Sequence, residues 1–245
     1  MWTRRMAPAV PLLLLALVAC SSSPPTPAAE PVPTTAAPAT TVGPASTVAP
    51  ATTTSTIPAF SGVAVRVTAA DLPASWRPGC PVGPEDLRRL ELSYWGFDDQ
   101  PHTGALVVHA GEAEAIIGVF RRLYERRFPI RRMEPIDVYG GSDEASTAAD
   151  NTSGFNCRNA VASGPPAWSA HAYGRAIDVN PVENPYILNG RVLPPAAAEY
   201  RDRSNVRPGM AVRGGELVAA FADAGWSWGG TWANPDYQHF SATGN

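Results

Sequence analysis

Ten residues, Ser169-Ala-His-Ala-Tyr-Gly-Arg-Ala-Ile-Asp178, restrict this chain more than any other stretch. They set a histidine and an aspartate seven positions apart, with Gly174 between them where the backbone can turn. After Gly174 the run Arg175 to Asn180 alternates with the period of a strand. Ile177 and Val179 point one way, while Ala176, Asp178 and Asn180 point the other. A turn near Gly174 brings His171 back beside the strand that carries Asp178, so an imidazole and a carboxylate converge on one point. Such a pair is most of a metal site.

A catalytic zinc takes three nitrogen or oxygen ligands from the protein and leaves a fourth position for water. The chain has four histidines, and the one best suited as third ligand is His239, in Trp232-Ala-Asn-Pro-Asp236-Tyr-Gln-His239. Asp236, three residues earlier, supplies a carboxylate able to take a proton from water and return it to a leaving amine. His109 ends the apolar run Leu106-Val-Val and is expected to be a satisfied structural histidine. His102 sits in a polar turn, and nothing recommends it over His239.

These residues carry a family resemblance. Ser-x-His-x-x-Gly-x-Ala-x-Asp followed by Asp-x-x-His resembles the zinc D-alanyl-D-alanine carboxypeptidases, a family that also holds L-alanyl-D-glutamate endopeptidases and shares its core with the hedgehog and lysostaphin folds. Phe155-Asn-Cys-Arg158, His171 to Asp178 and Asn184-Pro-Tyr186 extend the similarity, which covers roughly Arg77 to the C-terminus. The resemblance implies that His171, Asp178 and His239 bind Zn2+, that Asp236 is the catalytic acid/base, and that Arg158 and Ser169 contact the substrate. Arg158 suits that role on its own chemistry, because a guanidinium stays charged and holds a carboxylate or carbonyl oxygen through paired donors. The implied fold is α+β: a mainly antiparallel sheet with flanking helices on one side and the metal in a cleft on the other.

The N-terminal quarter reads differently. Residues 1–19 have two arginines, a short apolar run from Pro11 and then Cys20, the layout of an export signal. The apolar run is too short to span a bilayer. Leu17-Val-Ala-Cys20 resembles a bacterial lipobox, in which Cys20 would receive lipid. Residues 20–60 are almost wholly Pro, Ala, Thr, Ser and Val, a composition that cannot bury enough apolar surface to order itself, and they read as a disordered tether. Residues 61–245 are then the metallopeptidase domain. Loss of Arg4 and Arg5 with the signal would make the chain more acidic than its net charge of −3, which argues against nucleic acid as a partner. The expected setting is extracytoplasmic, with a lipid-anchored monomer facing the cell wall and peptidoglycan peptides as substrate.

Within the domain, Pro84 to Leu92 is expected as a short helix, Leu92 to Phe97 and Gly104 to His109 as strands, and Glu112 to Arg127 as the clearest helix. In the last, Ile116, Phe120, Leu123 and Tyr124 share one face. The arginines at 121, 122, 126, 127, 131 and 132 read as a solvated surface. Met133 to Tyr139 is expected as a strand and Gly140 to Asp150 as a loop. Asn189-Gly190 marks a tight hairpin within Tyr186 to Leu193, and Gly215 to Ala224 marks a helix. The three tryptophans of Gly225 to Trp232 suit either a core edge or an aromatic floor beneath the metal.

Of three cysteines, Cys20 is accounted for, and Cys80 and Cys157 remain as a pair in an exported chain, which favours a disulfide over a thiolate nucleophile. The chain has no lysine. That excludes a Ser-x-x-Lys peptidase, a Walker A loop and any lysine Schiff base. His-Glu-x-x-His is also missing. The expected function is zinc-dependent hydrolysis of peptidoglycan stem peptides, as a D-alanyl-D-alanine carboxypeptidase. The alternatives are an L-alanyl-D-glutamate-type endopeptidase and a non-catalytic, zinc-containing wall-binding module.

Overall fold

The computed structural model describes residues 57–161 and 165–244. The signal, Cys20 and most of the expected tether lie outside the described residues. Strands β1 (Gly62–Arg66), β2 (Leu87–Trp95) and β3 (Pro101–His109) form an antiparallel sheet in that order. Most of the stretch expected as a helix from Pro84 to Leu92 is strand; only Pro84–Asp86 makes a 3-10 turn. The reason is that β2 buries leucines on both of its faces. Leu90 and Leu92 enter the main core, whereas Leu87 joins a second cluster with Val67, Leu72, Val107, Phe155 and Cys157. Two leucines three positions apart, buried on opposite sides of a strand, mimic the spacing of one helix face.

Helix α1 (Ala113–Glu125) matches its sequence pattern. Ile116, Phe120, Leu123 and Tyr124 are all buried, the first three packing with Leu90, Leu92, Leu106 and Val108 in one core. Burial of each such side chain contributes about 1.5–3 kcal/mol. Its arginines are not uniformly solvated: Arg121 and Arg126 are exposed, but Arg122 is ion-paired to Glu216 and Asp223.

The stretch expected as a strand from Met133 forms only a single bridge, Met133 to Thr152, before a 3-10 turn at Ile136–Tyr139. The expected loop after it contains α2 (Asp143–Ala148), whose N-terminus is capped by Ser142 accepting from the Ala145 N–H. The small polar residues that suggested a loop are here the capping set of a short helix.

The second half of the domain is built around β4 (Ala176–Asp178), followed by the hairpin β5 (Tyr186–Leu188) and β6 (Arg191–Leu193), which turns at Asn189-Gly190 as expected. Helix α3 (Glu216–Asp223), β7 (Ser227–Trp228) and β8 (His239–Ser241) complete it. A second antiparallel sheet has the order β4-β8-β7. Ile177 and Phe240 are paired in register and face the main core, where the Phe240 ring stacks on Phe221 of α3 at 4.2 Å. Phe221 in turn meets Phe120 of α1 edge-on at 6.4 Å. The fold is thus α+β with antiparallel sheets, but α1, α3 and the first sheet form a scaffold, and the second sheet presents its other face to a cleft.

Candidate metal centre and cleft

Strand alternation decides what that other face carries. With Ile177 and Phe240 inward, their neighbours Asp178 and His239 face away, and the register sets those two directly opposite each other on β4 and β8. His171 arrives from the 3-10 turn Ala170–Tyr173, capped at its start by Ser169, whose hydroxyl accepts from the His171 N–H at 3.3 Å. The turn ends at Gly174 in the left-handed region, φ 67°. A Cβ there would come within 2.5 Å of the His109 nitrogen, so both conformation and space require glycine.

His171, Asp178 and His239 converge, with one donor atom from each within 4.8 Å of the others. His171 Nε2 lies 3.2 Å from His239 Nδ1 and 3.3 Å from an Asp178 oxygen; the other Asp178 oxygen is 3.1 Å from His239 Nδ1. All three side chains are buried.

The proton assignment follows from a fourth contact. Nδ1 of His171 is 2.7 Å from the Gly154 carbonyl, which can only accept, so Nδ1 carries the hydrogen and Nε2 turns a lone pair to the centre. His171 Nε2 and the Asp178 carboxylate then both turn lone pairs toward His239 Nδ1. In the metal-free protein, burial disfavours charge on His171, but the Asp178 carboxylate outweighs it and raises the imidazole's affinity for a proton. Burial likewise opposes ionisation of Asp178, and the two imidazoles overcome it, holding that carboxyl far below its usual range. The cluster is built to attract positive charge. A tetrahedral zinc with bonds of about 2.0–2.1 Å separates its ligands by about 3.3–3.4 Å, near the spacings found here, so the donor set and its geometry fit that ion.

Asp236 lies beside this cluster, held by its backbone to Gly229 at 3.1 Å and bridged to Tyr186. Its Oδ1 is buried with no hydrogen-bond partner among the described residues. Burial first, and the charge of Asp178 second, push its carboxyl up to about 7. A carboxylate poised near neutrality can both take and give a proton.

These groups line a cleft of about 910 Å³ that also includes Arg158, Ser169, Trp168, Tyr186 and Trp232. The tryptophans of the tail divide between the two readings. Trp226 is buried in the core with Trp228 packed on it, while Trp232 lies in the cleft with its ring 5.2 Å from that of His239. Arg158 is a quarter exposed and pairs with Asp143 of α2 at 2.9 Å. Cys80 and Cys157 are bonded, and Arg77 donates to the Cys157 carbonyl at 2.7 Å, so the segment entering Arg158 is fastened twice. The remaining histidines stand elsewhere. His109 Nδ1 accepts from the Gly111 N–H, and His102 pairs with Asp98.

Two participants escaped the sequence reading. The Gly154 carbonyl is one; its signal was the glycine itself, since a Cβ at 154 would sit 2.3 Å from the Val107 carbonyl oxygen. Asp143 is the other, hidden in a stretch expected to be a loop. Asn184 has a different explanation from the motif that contains it. Its amide donates to Val179 and Gly209 and accepts from Ala211 and Arg203, fixing the chain between β4 and β5.

Comparison with known proteins agrees with the resemblance drawn from the motifs. Residues 163–242 match a family model described as D-alanyl-D-alanine carboxypeptidase. That span holds Ser169, His171, Asp178, Asp236 and His239, and leaves Arg158 and both bonded cysteines outside it. No curated protein and no solved structure matches the chain.

Proposed function

We propose that this protein is a zinc-dependent peptidase that hydrolyses peptidoglycan stem peptides, as a D-alanyl-D-alanine carboxypeptidase. The observation that carries the reading is the convergence of two imidazoles and a carboxylate, with a second, perturbed carboxylate beside them, all four residues lying within the family match. His171, Asp178 and His239 would hold the ion. Bound there, zinc would supply a Lewis acid that acidifies water and polarises a carbonyl.

The chain's own residues supply the rest. Asp236, deprotonated, accepts a proton from the attacking water and passes it to the amine nitrogen as the C–N bond breaks. Arg158 and Ser169 position the peptide, and the guanidinium offsets negative charge growing on the carbonyl oxygen. The Gly154 carbonyl fixes the His171 tautomer and ring, a support of the kind whose loss lowers metal affinity or activity about 10–100-fold. Trp168, Tyr186 and Trp232 bound the cleft.

One observation favours the endopeptidase reading as the second choice. Among the described residues, Arg158 is the one cation lining the cleft, and Asp143 already pairs with it. A substrate's terminal carboxylate therefore meets no free counter-charge, whereas an internal amide needs none. Further parts of the proposal are a hedgehog-like core for residues 61–245, a monomeric state, a lipid on Cys20 and a tether reaching from the membrane to the wall.

The test uses the full chain and defined muropeptides, with products identified by mass. Loss of one alanine marks the carboxypeptidase and scission inside the stem marks the endopeptidase. Asp236→Ala should retain zinc and lose cleavage. If wild type and variant hold zinc and are equally inert, the protein is a binding module.

A further inference from the structure

Among the described residues lining the cleft, Arg158 is the one arginine, yet it is not presented free. One terminal nitrogen is 2.9 Å from the Asp143 carboxylate and the other is 3.3 Å from the Asn159 carbonyl. Its Nε–H is buried with no partner among the described residues. Asp143 is itself fixed. It opens α2, whose start is capped by Ser142, and α2 is braced from behind by Asn151, which donates to Ser146 Oγ at 3.0 Å and to the Glu134 carbonyl at 2.9 Å. Asp143 and Arg158 both line the cleft.

Peptide hydrolysis changes the charge of what occupies that cleft. Water adds to the carbonyl carbon, the C–N bond breaks, and a neutral amide becomes a carboxylate and an ammonium group. The new carboxylate is born where the neutral carbonyl stood. An unpaired arginine would hold this product more tightly than the substrate, because guanidinium–carboxylate forks are stronger than guanidinium–amide contacts. We infer that Asp143 is a positioning residue that shares the Arg158 charge, orienting the remaining N–H donors of its terminal nitrogens for a carbonyl and keeping the cleft from retaining the carboxylate product. This rests on the peptidase reading for its purpose, but the pairing can be tested without it.

The probe is acetate, titrated into the metal-free full-length protein and followed by tryptophan fluorescence, since Trp168 and Trp232 line the cleft. Asp143→Asn keeps the shape and removes the charge. It should bind acetate about fivefold more tightly than wild type, which is about 1 kcal/mol at 1.4 kcal/mol per factor of ten. Glu144→Gln removes a charge from the same helical turn without touching Arg158 and should leave acetate binding unchanged. Adding Arg158→Gln to Asp143→Asn should abolish the gain. Asp143→Ser serves if the asparagine variant melts early. Equal acetate affinity in wild type and both Asp143 variants overturns the inference, as does a gain that survives loss of Arg158. In the zinc-loaded enzyme, Asp143→Asn should show about fivefold stronger inhibition by the carboxylate product, with little change in KM. Tighter acetate binding in a protein that cleaves no muropeptide would keep the pairing and remove the peptidase reading. Cleavage with unchanged acetate binding would do the reverse.

Discussion

The two three-stranded sheets of this domain differ in what they bury. Around β1-β2-β3 and α1 the interior is Leu90, Leu92, Leu106, Val108, Ile116, Phe120 and Leu123. Around β4-β8-β7 and its loops the buried set includes His171, Asp178, Asn180, Glu183, Asn184, Asp236, Gln238 and His239. Buried polar groups cost stability unless each finds a partner, and buried charges cost more. The second region therefore depends on the first. An apolar scaffold supplies most of the driving force, and it holds in place a cluster that would not assemble for its own sake.

The largest effect should come from breaking the polar side. Asp178→Asn removes the only carboxylate of the triad and should reduce bound zinc, by elemental analysis, from one ion per chain to none, with muropeptide cleavage falling below detection. The scaffold should survive, because the residue lies on the cleft face of β4 and not in the apolar cluster. Ligand binding to the native state alone raises its melting temperature, so wild type should melt higher with zinc than without it. Asp178→Asn should lose that increment.

Breaking the apolar side should do the opposite. Phe120 is 1% exposed, packs in the main core and meets Phe221 edge-on, so it touches the helix that backs β8. Phe120→Ala should cost about 3–5 kcal/mol in urea unfolding. The zinc-dependent rise in melting temperature should remain, since no ligand is moved out of register. If Phe120→Ala abolishes zinc binding in the folded protein, the two regions are not separable as described.

What was readable in the sequence follows the same division. Helix α1 was legible because one apolar stripe faces one core. β2 was not, because Leu87 and Leu90 are buried on opposite sides, in separate clusters, and three-residue spacing then imitates a helix. On the polar side, residue type carried the information that periodicity lacked. His171, Asp178, Asp236 and His239 stand out by spacing and motif; the in-register pairing of β4 with β8, which spacing alone does not give, sets Asp178 opposite His239, and all four line one cleft. The supports around them were illegible for a physical reason. The Gly154 carbonyl is backbone, identical in every residue, and Asp143 acts from a helix too short to show a period.

A smaller effect, and one confined to the polar region, concerns Glu183. Its side chain is buried in the loop after β4, with Arg131 3.4 Å from it and also 3.4 Å from Asp150. Burial first, and the neighbouring Asp150 charge second, push the Glu183 carboxyl from 4.5 up to about 8. A carboxyl raised in the folded state holds its proton after the unfolded chain has released it. Between pH 4.5 and 8 the native state then binds more protons than the unfolded state, so stability falls as pH rises across that window. The penalty is fully present above pH 8 and absent below pH 4.5. Glu183→Gln carries no such titration and should flatten this part of the stability profile, gaining on wild type as pH rises. The difference at pH 8 should be at most a few kcal/mol, since one pKa unit corresponds to about 1.4 kcal/mol. Urea midpoints at pH 5 and pH 8 measure it, and parallel pH profiles for the two proteins would mean that Arg131 neutralises Glu183 and that this part of the polar region is as settled as the apolar scaffold.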